Sequence, residues 1–176
     1  MRKIKLFIAS SLDGYIARED GSIDWLFTDG DYGFSQFYES IDTIIMGRKT
    51  YEQILKSGEY PHKDKKSYVL SQNPKVKRKG QHVEFIYADV MDFIRKNLIQ
   101  SQDKDIWLVG GSDIISIFLN ANLVDEIILS IHPIVIAKGI PLFKNVQKQV
   151  NMKLLESIPY ENGLMQLHYE LHHQQH

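Results

Sequence analysis

Short runs of consecutive apolar, β-branched residues alternate along the chain with stretches in which apolar positions recur every three or four residues. Strands buried on both faces produce the first pattern and helices resting on a sheet produce the second, so the alternation predicts an α/β fold. Residues 4–9 form the first such run. Residues 11–21 carry Asp13-Gly14 and Asp20-Gly21 and read as a loop or irregular hairpin. A short helix is expected over 34–40, with Asp31 near its start, where the helix dipole tolerates a carboxylate. The apolar run 43–46 ends at Gly47 and is followed by a helical stretch at 50–55. Two further strands are expected at 67–71, beyond the polar loop 56–66, and at 83–87.

Over residues 88–99, Val90, Phe93, Ile94 and Leu98 fall at helical spacing with Asp89 as the expected N-cap. A strand at 106–109 then breaks at Gly110-Gly111, and Ser112 or Asp113 should cap an apolar helix running through 119. Residues 126–135 suit a central strand. Segments 152–158 and 164–172, joined across Glu161-Asn162-Gly163, read as a C-terminal antiparallel hairpin. The expected architecture is a mixed, mostly parallel central sheet flanked by helices. No repeat or linker divides the chain, so a single domain over 1–176 is expected.

Composition narrows the functional classes. Hydrophobic residues make up 43% and charged residues 24% of the 176, which fits a globular domain and excludes collagen-like, disordered and disulfide-scaffold classes. With 21 Lys plus Arg against 22 Asp plus Glu, there is no overall field to draw in a nucleic acid or an anionic membrane. The absence of cysteine removes disulfides, thiolate zinc sites, iron-sulfur clusters and any Cys nucleophile, and points to a reducing, cytoplasmic setting. No apolar stretch is long enough to cross a bilayer, and the first is too short for a signal-peptide core with its cleavage site. Histidines 168, 172, 173 and 176 crowd the C-terminus, yet no second ligand group accompanies them, so no metal site is expected.

Chemistry concentrates where two strands end in glycine and feed helices: Met46-Gly47-Arg48-Lys49-Thr50 and Val109-Gly110-Gly111-Ser112-Asp113. Glycine there lets backbone approach a bound phosphate, and the following helix start offers unpaired N–H groups at a positive dipole end. Arg48 adds a forked donor and Thr50 a hydroxyl. The alternative is that these glycines merely make tight turns. Neither segment fits the Walker pattern, and no G-x-G-x-x-G follows a strand.

The segment Ile44-Ile45-Met46-Gly47-Arg48-Lys49-Thr50-Tyr51-Glu52 resembles the dihydrofolate reductase segment that grips the NADPH phosphates. Residues 106–119, with Gly110-Gly111 and the trailing Phe118-Leu119, are similar to that family's second cofactor landmark, and Ser67 through Gln72 to its third. Ser11-Leu12-Asp13-Gly14-Tyr15-Ile16-Ala17 and the stretch from His132-Pro133 to Pro141-Leu142-Phe143 look closer to the reductase domain of the bifunctional riboflavin-biosynthesis deaminase-reductase. In the second of these a Gly-rich stretch is reduced to Ala137-Lys138-Gly139. The resemblance spans nearly the whole chain. The zinc deaminase half of that enzyme is missing, because its chemistry needs cysteine ligands.

The resemblance implies a dihydrofolate-reductase-like three-layer fold, NADPH as cofactor, a small heterocyclic substrate and a homodimer. It implies cofactor contacts from Gly47, Arg48, Lys49 and Thr50, from Leu70, Ser71 and Gln72, and from Val109, Gly110, Gly111, Ser112, Asp113 and Ile114, with Ala9 at the first strand's end. Lys75 joins the candidates for the adenosine end, whereas Lys77, Arg78 and Lys79 suit a solvated charged loop. Trp25, Leu26, Phe34 and Ser130 are the implied substrate contacts. Asp31, sixteen residues before Gly47, occupies the position of the family's lone pocket carboxylate and is the candidate proton donor; Asp13, Asp24 and Asp29 compete with it. Helix capping is the competing role for Asp31. A phosphoribosyl substrate would need a second cationic pocket, for which Arg18 or Lys138 are candidates, and a folate tail would need an arginine where Lys56 follows the helix. Riboflavin-type reduction leads, dihydrofolate reduction is the alternative enzyme, and a non-catalytic NADPH-binding regulator is the alternative class.

Overall fold

The structure, a computed structural model, describes residues 1–73 and 82–173. Lys75, Lys77, Arg78, Lys79 and His176, named above, lie outside the described residues. In chain order the elements are β1 (Ile4–Ser11), β2 (Tyr15–Ala17), α1 (Phe34–Ser40), β3 (Ile41–Gly47), α2 (Arg48–Lys56), β4 (Lys66–Leu70), β5 (Val83–Ile86) and α3 (Val90–Phe93). A π-helical turn (Ile94–Leu98) follows, then β6 (Asp105–Gly110), α4 (Ser112–Asn120), β7 (Glu126–His132), β8 (Ile140–Pro141), β9 (Met152–Pro159) and β10 (Met165–Leu171).

Eight strands form one sheet in the order β5-β4-β3-β6-β1-β7-β10-β9. The first six run parallel, and the C-terminal hairpin closes the sheet antiparallel through β10 on β7 and β9 on β10. Successive side chains of a strand point to opposite faces. Leu6, Ile45 and Leu108 therefore meet Ile94, Leu98, Ile115 and Phe118 on one side. On the other side Ile44, Met46 and Trp107 meet Phe37 of α1 and Tyr51 of α2. Helices cover both faces of the central strands, which accounts for their nearly continuous apolar sequence.

Packing decides the helices. A nine-residue helix such as α2 does not persist alone in water. Tyr51, fully buried against the sheet, contributes on the order of 1.5–3 kcal/mol and fixes it there.

Element boundaries depart from the sequence pattern for identifiable reasons. Gly47 is extended (φ −77, ψ 160) and occupies the N-cap position, so α2 begins at Arg48, ahead of the expected residue 50. Gly111 likewise precedes α4, which makes Ser112 a first-turn residue; its hydroxyl donates to the Pro141 carbonyl and caps nothing. Asp89 does not cap either, because its backbone is left-handed (φ 48), and the helix expected over 88–99 is one α-turn followed by the π-helical turn. Burial of Ile94 and Leu98 holds that segment. Strand β7 stops at His132 because Pro133 has no N–H for the ladder. Part of the expected loop 11–21 is β2, which pairs with β8. The two backbones touch so closely at this pair that a Cβ on Gly139 would collide with the Ala17 carbonyl oxygen.

Candidate active site

The chain leaves β3 through α2 toward β4, and leaves β6, the neighbour of β3, through α4 toward β7 on the opposite side. The connections diverge between β3 and β6. Open α/β sheets bind ligands in the crevice outside the carboxyl ends of the strands at such a switch point. Gly47 and the cis Gly110-Gly111 peptide end the two strands there. A Cβ on Gly47 would lie 2.8 Å from Ile114 Cγ1 and 3.8 Å from the Gly110 carbonyl oxygen, and one on Gly111 would lie 3.5 Å from Thr50 Oγ1. The first turns of α2 and α4 thus face each other with only glycine between them. Each first turn carries backbone N–H groups with no intrahelical acceptor. Together they form a cradle suited to a phosphate or diphosphate.

Arg48 stands at the start of α2, one third exposed, and its guanidinium touches Glu52 at 3.3 Å. An exposed i,i+4 pair is worth about 0.5 kcal/mol, so Glu52 holds the guanidinium only weakly. Lys49 and Thr50 complete the turn. Ser112 and Asp113 are otherwise engaged: Ser112 with Pro141, and Asp113 with Lys144 at 2.8 Å. The Ile114 side chain lies against Gly47 between the two helix starts. Leu70 and Ser71 are buried at the end of β4, where the Ser71 hydroxyl accepts the Asn73 N–H at 3.0 Å. Gln72 is exposed beside them. Ala9 pairs with Ser130 in the β1–β7 register, and Val109 packs against the aromatic side of the core.

The substrate-side candidates separate. Trp25 is buried and its ring stands edge-on to His132 at 5.3 Å. Its Nε1 has no hydrogen-bond partner among the described residues, an orphaned donor at the end of β7. Leu26 is half-buried in the same turn. The Phe34 ring packs on Phe7 at 5.8 Å and on Trp107 at 5.5 Å and so belongs to the core aromatic cluster. Ser130 is buried, and its Oγ accepts from Gln166 Nε2 at 3.1 Å; the same amide donates to the Tyr32 carbonyl at 2.8 Å.

Asp31 does not sit in an apolar pocket. It is exposed, its carboxylate accepts the Ser35 hydroxyl at 2.6 Å and the Ser35 N–H at 3.1 Å, and these bonds hold it below the ordinary carboxylate value. That arrangement caps α1. The competing carboxylates are also held low, Asp24 by Arg18, Asp29 by the Tyr32 hydroxyl, and Asp13 by the Ser11 hydroxyl with the Ala137 and Ile136 N–H groups. Asp31 thus shows the hydrogen bonding of the competing helix-start role and little of the desolvation that would favour its protonated form. Arg18, the other cation considered for a substrate phosphate, pairs on the surface with Asp24, its Nε and Nη2 meeting the two carboxylate oxygens at 2.6 and 3.1 Å. Near the C-terminus His168 bonds Glu126 at 2.8 Å and His173 bonds Asp125 at 2.9 Å.

Three residues beyond those singled out shape the same region: Phe27, His132 and Gln166. His132 stood in the sequence only within the His132-Pro133 stretch, and Gln166 only within a strand. Neither carries a local signal, since their partners are distant in sequence.

The family model for the RibD C-terminal domain matches residues 2–166. The uncharacterized protein YwjB of Bacillus subtilis (strain 168) is 38% identical over 172 residues, covering 96% of this chain and 97% of the relative. A putative riboflavin biosynthesis protein from Shewanella sp. PV-4 superposes with a TM-score of 0.84 at 27% identity, covering 97% of this chain and 99% of the other. Dihydrofolate reductase from Enterococcus faecalis, complexed with NADP(H), shares the fold at a TM-score of 0.70 and 19% identity over 96% of each chain. The architecture is dihydrofolate-reductase-like, no helix among the described residues is long and apolar enough to cross a membrane, and the chain belongs to the RibD C-terminal domain family.

Proposed function

We propose that this chain, acting as one domain, is an NADPH-dependent reductase of a pyrimidine- or pterin-like heterocycle, most like 5-amino-6-(5-phosphoribosylamino)uracil reductase. The observation that carries the reading is the meeting of two helix starts across Gly47 and Gly111, a gap that a Cβ would fill. When bound, NADPH supplies the hydride. Arg48 holds the 2′-phosphate or the adjacent diphosphate, with Lys49 and Thr50 beside it. Backbone N–H groups of Gly111 through Ile114 face the diphosphate, and Leu70, Ser71 and Gln72 border the adenosine end. Trp25, Leu26 and Ser130 border the substrate.

The exposed, capping Asp31 favours the riboflavin-type reading over dihydrofolate reduction, since the latter relies on a pocket carboxylate. The proton that accompanies hydride transfer to a C=N bond then comes from water. Lys138 or Arg18, the latter paired on the surface with Asp24, is the cation proposed for a substrate phosphate. A cytoplasmic homodimer is proposed from the family resemblance, and sedimentation of the purified chain at micromolar concentration checks the assembly. Loss of NADPH absorbance is the test of function, with the phosphoribosylamino-uracil and dihydrofolate supplied separately. Oxidation with the first alone supports the reading, oxidation with dihydrofolate alone selects the alternative enzyme, and NADPH binding without oxidation by either selects a binding or regulatory protein.

A further inference from the structure

His132 ends β7 and is 3% exposed. Its Nε2 accepts the backbone N–H of Phe27, 105 residues earlier, at 3.2 Å, and its Nδ1 lies 3.3 Å from the Ser130 carbonyl oxygen. A carbonyl can only accept, so the ring proton sits on Nδ1, and Nε2 is free to take the Phe27 N–H. The Phe27 ring packs on the imidazole at 4.9 Å and the Trp25 ring stands on its edge at 5.3 Å. One imidazole therefore binds both the backbone and the two aromatic rings of a segment that contains no helix or strand between β2 and α1. Further ties lie at the two ends of the segment: the Gln53 amide donates to the Gly21 carbonyl at 3.2 Å, and Tyr32 meets the C-terminal hairpin through the Gln166 amide on its carbonyl, the Asn162 amide on its hydroxyl and the Tyr160 ring. His132 is the tie beneath Trp25.

We propose that His132 is a positioning residue that holds the turn carrying Trp25 and Phe27 against the end of β7, so that this aromatic wall stands on the substrate side of the cleft. It touches neither cofactor nor reacting atoms. The clamp itself follows from geometry alone, while its consequence for turnover rests on the reductase reading above. The phosphate cradle lies at α2 and α4, on other elements, so loosening the clamp changes substrate use and leaves cofactor affinity in place.

Two variants separate the clamp from general damage. His132→Phe keeps a ring of similar bulk and removes the acceptor, and His132→Gln offers a side-chain oxygen near the place of Nε2. In the free protein the Phe27 amide should exchange about tenfold faster in His132→Phe than in wild type, the loss of roughly one buried hydrogen bond, with partial recovery in His132→Gln. NADPH affinity should stay within about twofold, while kcat/KM falls on the order of tenfold, mainly through a higher substrate KM. Unchanged exchange at Phe27 in His132→Phe, or NADPH affinity lost in step with KM, overturns the proposal. If wild type oxidises NADPH with neither substrate, the reductase reading fails and the exchange comparison still decides the clamp.

Discussion

Gly47 is glycine because a Cβ there would stand 2.8 Å from Ile114 Cγ1. Gly47→Ala forces Ile114 aside where the starts of α2 and α4 approach. Overpacking of this kind costs about 1–3 kcal/mol, and the displaced first turns should lower NADPH affinity by at least tenfold. Titration of the variant alongside thermal unfolding measures both effects. Asp31→Asn should behave differently. Removing a general acid costs on the order of a hundredfold or more in turnover, whereas removing an exposed bond to Ser35 at the start of α1 acts on stability. Turnover at neutral pH should therefore stay within about twofold of wild type, with a somewhat lower unfolding temperature. A hundredfold fall in turnover would return Asp31 to the proton-donor role. In the sequence, the resemblance with Asp31 sixteen residues before Gly47 implied a pocket acid or a helix cap; whether the side chain meets solvent or an apolar wall depends on the path of the loop before α1, which spacing does not encode.

At the scale of elements, the parallel strands were legible because burial on both faces leaves runs such as Ile44-Ile45-Met46 and Ile106-Trp107-Leu108 without polar interruption. The helix starts were legible from their glycines, but the first turn was misread at Ser112, whose hydroxyl is taken by the 140–144 segment. Arg48 tests the helix start directly. Its contact to Glu52 is exposed and adds little, so Arg48→Ala should leave stability within about 1 kcal/mol of wild type. NADPH affinity should fall about tenfold, the loss of one charge-assisted contact, and NADH affinity should change less. At the other end of the sheet, Glu126 of β7 is buried, which by itself raises its carboxyl, but bonds from Lys3 at 2.6 Å and His168 at 2.8 Å outweigh burial and lower it from the ordinary 4.5. A carboxylate lowered in the folded state contributes stability above its unfolded value, and that contribution disappears as pH falls through the folded value. Glu126→Gln should therefore cost about 1–3 kcal/mol at neutral pH, and the difference from wild type should close below pH 4.5 in denaturant titrations.

Across the whole molecule, the topology brings the two proposed halves of the site to one end of the sheet. Diverging connections at β3 and β6 open the cofactor cradle, while β7 and the hairpin provide His132, Ser130 and Gln166 to anchor the loop that carries Trp25. The proposed cradle draws on adjacent glycine, arginine and threonine, and so leaves a local motif in the sequence. The substrate side was not, because its bonds join residues such as Phe27 and His132 that are 105 positions apart. The claim that joins both halves is that the cradle recognises the 2′-phosphate of NADPH. Fluorescence titration of the purified protein with NADPH and with NADH tests it most directly. NADPH should bind at least tenfold more tightly, the contribution of one charge-assisted bond from Arg48. Equal affinity for the two nucleotides would contradict the assignment of Arg48, and binding of neither would contradict the reductase itself.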